Sequence, residues 1–191
     1  MRRSLFIALL VGSTLRLTAC AQDGPKDAVV LVIRHAEDAD KGDGLSPRGQ
    51  QRAETYKDYF LNLTFDSKRF EPDLVFAAKD SNKSRRPSLT VGPFAKAANL
   101  QVDTHFGNTQ SAELAGAVRA IGQGKRVLIC WRHKNIPDLL RAFGANPDEL
   151  LPGGKWPGAT YDWLILLTYD QEGRLASSTR INEHLIPEDS Q

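Results

Sequence analysis

Two arginine–histidine pairs carry the residue types that chemistry needs. Arg34-His35 closes the apolar run Ala28–Ile33, and Arg132-His133 closes a second run, Val127–Trp131. An imidazole that titrates near neutrality can act as nucleophile, acid or base. A guanidinium beside it offers forked donors to a carboxylate or phosphoryl group. Apolar runs of this length, rich in β-branched residues, read as strands buried on both faces. Ligands of open α/β sheets bind just beyond the carboxyl ends of such strands. Either pair alone could be a polar strand cap. The chain has only four histidines, however, and two of them follow an arginine at a strand end, which favours one shared site.

A third cationic stretch lies at Lys79–Pro87, between the strand Leu74–Ala78 and a helix expected from Pro87 to about Ala98. It holds two lysines, two arginines and two serines. Amide groups at a helix N-terminus with an arginine beside them favour an anion. The lysines read as a solvated turn, and one of the two arginines as a phosphate ligand. Gly92-Pro93 predicts a kink in that helix.

The remaining elements have to position these groups. Ser46-Pro47 predicts a helix start, with a hydroxyl at the N-cap and proline at the first position. That helix runs to about Asn62, with Ala53, Tyr56, Tyr59, Phe60 and Leu63 as its buried stripe. A short strand at Leu100–Asp103 precedes a helix at Ser111–Ile121, and the strand Arg126–Trp131 precedes a helix from Ile136 to a glycine cap at Gly144. Asn146–Thr160, rich in proline and glycine, reads as an exposed loop that lines the mouth of a site. Tyr161–Tyr169 and Arg174–Ile181 read as a hairpin turning at Asp170–Gly173. The pattern predicts an α/β fold, a three-layer α/β/α sandwich with a mainly parallel central sheet and an antiparallel edge hairpin.

Several of these residues match a known pattern. Arg34-His35-Ala36-Glu37, followed by Leu45-Ser46-Pro47-Arg48-Gly49-Gln50-Gln51-Arg52-Ala53, resembles the opening of the histidine phosphatase superfamily, the phosphoglycerate-mutase-like fold. Arg86-Pro87-Ser88-Leu89-Thr90 resembles its second arginine motif, and that spacing selects Arg86 over Arg85. His133-Lys134-Asn135-Ile136-Pro137-Asp138 resembles the second-histidine motif of short members similar to bacterial phosphohistidine phosphatases. Tyr161-Asp162 fits them as well. The resemblance covers about residues 28–170. It implies His35 as nucleophile, Arg34 and Arg86 as phosphate ligands, and His133 as a further catalytic group.

Charge repulsion explains why such a set works. A phosphomonoester repels a nucleophile unless its charge is screened. Two guanidinium groups and an imidazole N–H can hold the three non-bridging oxygens and align phosphorus with the His35 ring. Nearby cations disfavour the imidazolium, so His35 stays nucleophilic. A phosphohistidine forms and water hydrolyses it, with neither metal nor cofactor needed. The sequence departs from the pattern at the proton donor: Lys134 stands where some members place aspartate directly after the second histidine. Glu113 is the remaining acid candidate, with Asp103 behind it; in the first turn of a helix Glu113 is also explained by the helix dipole. Without a strong acid, good leaving groups such as phosphohistidine or acyl phosphates are favoured. Two functions follow: a secreted phosphatase acting on a small phosphorylated substrate or phosphoprotein, or a non-catalytic phosphate-binding protein on the same fold.

The first 21 residues read as a secretory signal, with Arg2 and Arg3 before the apolar core Leu5–Val11 and Ala19-Cys20-Ala21 at the cleavage site. Leu17-Thr18-Ala19-Cys20 also resembles a lipoprotein box, which would make Cys20 a lipid anchor; Arg16 counts against it. Both routes predict a periplasmic or secreted protein whose residues 22–191 form a single domain. Removing the leader takes away three arginines and no acid, which turns a net charge of +2 into −1. That balance gives no support for nucleic-acid binding through a general basic surface. A membrane contact is expected only through a lipidated Cys20. Cys130, inside an apolar strand, reads as packing, so no disulfide is expected.

Overall fold

The computed structural model describes residues 24–65, 68–187 and 189. The expected leader, residues 1–21, lies outside them, as does Cys20. Six strands form one sheet in the order β5-β4-β6-β1-β7-β8: β1 (Val29–Arg34), β4 (Leu74–Ala77), β5 (Val102–Asp103), β6 (Arg126–Trp131), β7 (Trp163–Tyr169) and β8 (Leu175–Asn182). β5, β4, β6 and β1 run parallel, whereas β7 pairs antiparallel with both β1 and β8. Strands β2 (Thr64–Phe65) and β3 (Lys68–Arg69) form a small separate hairpin, too short to leave a periodic signal.

Alternation along the central strands divides the core into two faces. Val30, Val32, Val127, Ile129 and Trp131 pack with residues of α3 (Ser111–Ile121) and α4 (Ile136–Ala142). Leu31, Ile33, Leu128 and Cys130 pack against α1 (Pro47–Asn62) and α2 (Arg86–Ala97). The fold is therefore the expected three-layer sandwich. Cys130 is wholly buried and free.

Local chemistry sets the helix starts. The Ser46 hydroxyl accepts the Gly49 N–H at 3.1 Å, with Pro47 at the first helical position of α1. The buried face of α1 holds Ala53, Tyr56 and Phe60, as the stripe predicts, but also Arg52 at 1% exposure. α2 continues through Gly92-Pro93 as one helix. The carbonyl that Pro93 cannot engage belongs to Leu89, an exposed residue.

One expectation needs correction. Asn146–Thr160 is not simply an exposed loop: it contains the short helix α5 (Pro147–Leu150) and a 3₁₀ turn at Pro152–Gly154, and it buries Leu150, Leu151 and Trp156. Its prolines start these turns rather than break them, because Pro147 and Pro152 sit in the first turn where a missing N–H is harmless.

Candidate active site

β1 and β6 are parallel neighbours in register, with Arg34 opposite Trp131. Their carboxyl ends therefore deliver His35 and His133 to the same sheet edge. The His35 N–H extends the ladder to the Trp131 carbonyl at 3.1 Å. The two imidazole centroids are 6.3 Å apart and inclined at 64°. His133 opens a one-turn 3₁₀ segment (His133–Asn135) leading into α4, and its Nδ1 is buried without a hydrogen-bond partner.

His35 is 2% exposed, and its Nδ1 lies 2.8 Å from the Ala36 carbonyl. That contact requires the proton on Nδ1, which leaves the Nε2 lone pair available. Burial, reinforced by Arg34 and Arg86, holds the His35 pKa down to about 4 against the pull of the Ala36 carbonyl and Asp38. Burial lowers His133 to about 4 as well, with Arg34 and Lys134 acting in the same direction. Both rings are neutral at pH 7.

The two Arg-His pairs are not equivalent. Arg34 is buried, whereas Arg132 is exposed. Arg34 donates from Nη1 to the carbonyls of Gly158 at 2.8 Å and Thr160 at 2.9 Å, and its guanidinium carbon sits 3.6 Å above the Tyr161 ring. Its Nε is buried and unpaired. The segment expected to line the mouth therefore clamps this arginine by its backbone, which residue types do not reveal. With Nη1 engaged, Nε and Nη2 remain for an oxyanion.

Arg86, at the start of α2, has surroundings unlike those of Arg85. Arg85 is exposed and pairs with Asp43 at 2.8 Å. The Arg86 side chain is only 12% exposed; its Nε donates to the Gly44 carbonyl at 3.2 Å and lies 3.5 Å from Asp38 Oδ1. Thr90, one turn further along α2, accepts the Ala36 N–H at 2.9 Å and donates to the Arg86 carbonyl at 2.7 Å. One buried hydroxyl thus joins the His35–Ala36 turn to the helix that carries Arg86. Lys79 and Lys83 are exposed, in keeping with a solvated turn.

Behind the turn that follows His35, Arg52 ties Glu37 to Asp189. It reaches Glu37 Oε1 at 2.7 Å and pairs with Asp189, and these carboxylates raise its pKa despite burial. No sequence signal marked this network, since an arginine on an apolar stripe reads as an interruption.

The acid candidates fall elsewhere. Glu113 is exposed in the first turn of α3 and makes no hydrogen bond or ion pair among the described residues. Asp103, at the end of β5, holds His105 Nδ1 at 2.7 Å. The carboxylate that does reach the site is Asp38, 3.3 Å from His35 Nδ1.

No family model matches the chain, and no curated protein matches it significantly. Solved structures do. A protein designated phosphohistidine phosphatase SixA from Agrobacterium tumefaciens aligns over 80% of this chain and 97% of its own, at 21% identity and a TM-score of 0.51. A phosphoserine phosphatase from Entamoeba histolytica, solved with 3-phosphoglyceric acid, aligns over 83% and 99% at 13% identity and a TM-score of 0.55. Nearly the whole of each neighbour is thus matched by this chain. The chain has the fold of the histidine phosphatase superfamily, the phosphoglycerate-mutase-like fold.

Proposed function

We propose that the chain is an exported, metal-independent phosphatase that hydrolyses a phosphomonoester or phosphoramidate through a phosphohistidine on His35. The observation that carries this reading is the state of His35: a neutral buried imidazole whose Nδ1 is committed to the Ala36 carbonyl, with Arg34 and Arg86 beside it.

Nε2 attacks phosphorus while Arg34 and Arg86 hold the non-bridging oxygens and His133 donates its N–H to them. A new N–P bond forms as the bond to the leaving group breaks, and the leaving group departs with the electron pair. Water then attacks phosphorus from the opposite side, the N–P bond breaks, and phosphate and neutral His35 are restored. Positioning and charge neutralisation supply most of the acceleration in phosphoryl transfer. Glu113 makes no contact with this set, so leaving groups that need little protonation fit it best. The names of the two structural neighbours point to the same class, phosphorylated small molecules and phosphohistidine.

The test is hydrolysis of p-nitrophenyl phosphate and of phosphohistidine by residues 22–191 in EDTA, beside His35→Ala. Turnover lost in the variant, with a ³²P-labelled acid-labile adduct on the wild type alone, supports the reading. Phosphate binding without turnover of either substrate would instead select the non-catalytic phosphate-binding protein, which the position of Glu113 favours.

A further inference from the structure

The Nδ1 of His35 is hydrogen-bonded to one oxygen and stands at ion-pair distance from a second. The Ala36 carbonyl lies at 2.8 Å and Asp38 Oδ1 at 3.3 Å, and the same Asp38 oxygen is 3.5 Å from Arg86 Nε. Asp38 is held there by its own loop: it bridges to Leu45, and the Ala39 N–H donates to the Gly44 carbonyl. The charged or titratable groups facing His35 are Arg34 from β1, Arg86 from α2, His133 beyond β6, and Asp38. Among the described residues, Asp38 is the one carboxylate paired with that imidazole. Its side chain is 46% exposed, so it is not a trapped structural ion.

We infer that Asp38 is a positioning residue whose carboxylate stands beside His35 Nδ1 and compensates the positive charge the ring acquires as its Nε2 bonds to phosphorus, while weakening the hold of Arg86 on free phosphate. This rests on the phosphatase reading above. When neutral imidazole attacks, Nδ1 keeps its proton, so the phosphorylated ring is cationic until water cleaves the N–P bond. A carboxylate on the far nitrogen favours that cation over the neutral resting ring, which is stabilisation specific to the intermediate and the transition states flanking it. The same negative charge repels a bound phosphate dianion, which opposes product retention. Asp38 sits on the side of the ring opposite Nε2, so it does not serve as the proton donor to the leaving group.

The comparison is Asp38→Asn with Asp40→Asn, which removes the same charge from an exposed residue of the same loop that has no ion pair among the described residues. In Asp38→Asn, kcat for p-nitrophenyl phosphate falls about tenfold, and inorganic phosphate inhibits at about three- to tenfold lower concentration. The two parameters thus move apart, which a loss of packing does not produce. In ¹⁵N-labelled protein the titration midpoint of His35 moves down in Asp38→Asn and stays in place in Asp40→Asn. Equal kcat and phosphate inhibition in Asp38→Asn and wild type, or identical effects of both substitutions, would overturn the assignment. Should the wild type hydrolyse nothing, the phosphatase reading falls by itself. The imidazole titration still decides on Asp38: a midpoint unmoved by Asp38→Asn refutes its pairing with His35, and a lowered one supports it.

Discussion

Gly49→Ala is the substitution that most directly tests how α1 holds the turn that follows His35. Gly49 lies in the first turn of α1 against the backbone of Glu37, two residues after His35. A Cβ there would stand 2.4 Å from the Glu37 carbonyl oxygen and 2.9 Å from its nitrogen. Carbon–oxygen contacts settle at roughly 3.3–3.6 Å, so the two segments must part by about 1 Å. The neighbour is backbone and cannot swing aside. It is also pinned, because the Ser46 N–H donates to the same carbonyl at 2.9 Å. Overpacking of this kind costs about 1–3 kcal/mol, partly offset by the gain of up to about 1 kcal/mol for alanine over glycine in a helix. A net loss of about 1–2 kcal/mol lowers Tm by roughly 2–8 °C for a domain of this size. Displacing the His35 turn by about 1 Å costs on the order of a hundredfold in kcat. Gly116→Ala is the control: it sits inside α3, and its Cβ meets only the end of the Arg119 side chain at 3.8 Å. It should raise stability by about 0.5–1 kcal/mol and leave turnover unchanged. Thermal unfolding and steady-state rates decide the matter. If Gly49→Ala matched Gly116→Ala in Tm and activity, the close approach of α1 to that turn would not be what positions His35.

Three further outcomes follow from the same contacts. Because His35 stays neutral down to about pH 4, the acidic loss of activity should titrate near 4; a limb centred at 6.5, after allowance for the second ionisation of the substrate phosphate near 6, contradicts the buried site. Stability should peak near pH 6.5. Below it the unfolded chain takes up protons that His35 and His133, held near 4, refuse. Above it the enclosed carboxyl of Glu183, pushed up to about 8 by burial and bonded by the Tyr56 hydroxyl at 2.7 Å, keeps its proton while the unfolded chain has lost it. Stability therefore declines between 6.5 and 8 by up to about 1 kcal/mol per pH unit, and urea midpoints of Glu183→Gln should show no such decline. Thr90→Val strands the buried Ala36 N–H and should cost about 1–3 kcal/mol together with most of the activity; Thr90→Ser, which keeps the hydroxyl, should retain both, and equal behaviour of the two variants would remove Thr90 from the site.

Much of the architecture was legible before any coordinates. The boundaries of α3 and β6 and the start of α1 follow from apolar periodicity and from Ser46-Pro47, because capping and burial patterns act over a few residues and leave local marks. The preference for Arg86 over Arg85 came from motif spacing, and the two differ in the structure: a largely enclosed guanidinium beside Asp38 and an exposed one paired with Asp43. The reading of Asn146–Thr160 went wrong because proline and glycine mark turns without saying whether the turn packs. Leu150, Leu151 and Trp156 supplied the burial.

What the sequence determined by itself is therefore the set of parts: two buried parallel strands, each ending in Arg-His, and a second arginine with a threonine one turn on. Periodicity and capping are short-range, so one chain read in order contains them. Only the tertiary structure decided how the parts act on one another. It placed three backbone carbonyls against Arg34, Asp38 against the back nitrogen of His35, and a carboxylate near the C-terminus, Asp189, against Arg52. Backbone carbonyls exist at every residue and carry no sequence signature. The partners of a buried charge are chosen by proximity in space, here across 123 to 137 residues of chain. For that reason the resting state of His35, neutral and oriented, belongs to the fold rather than to any motif.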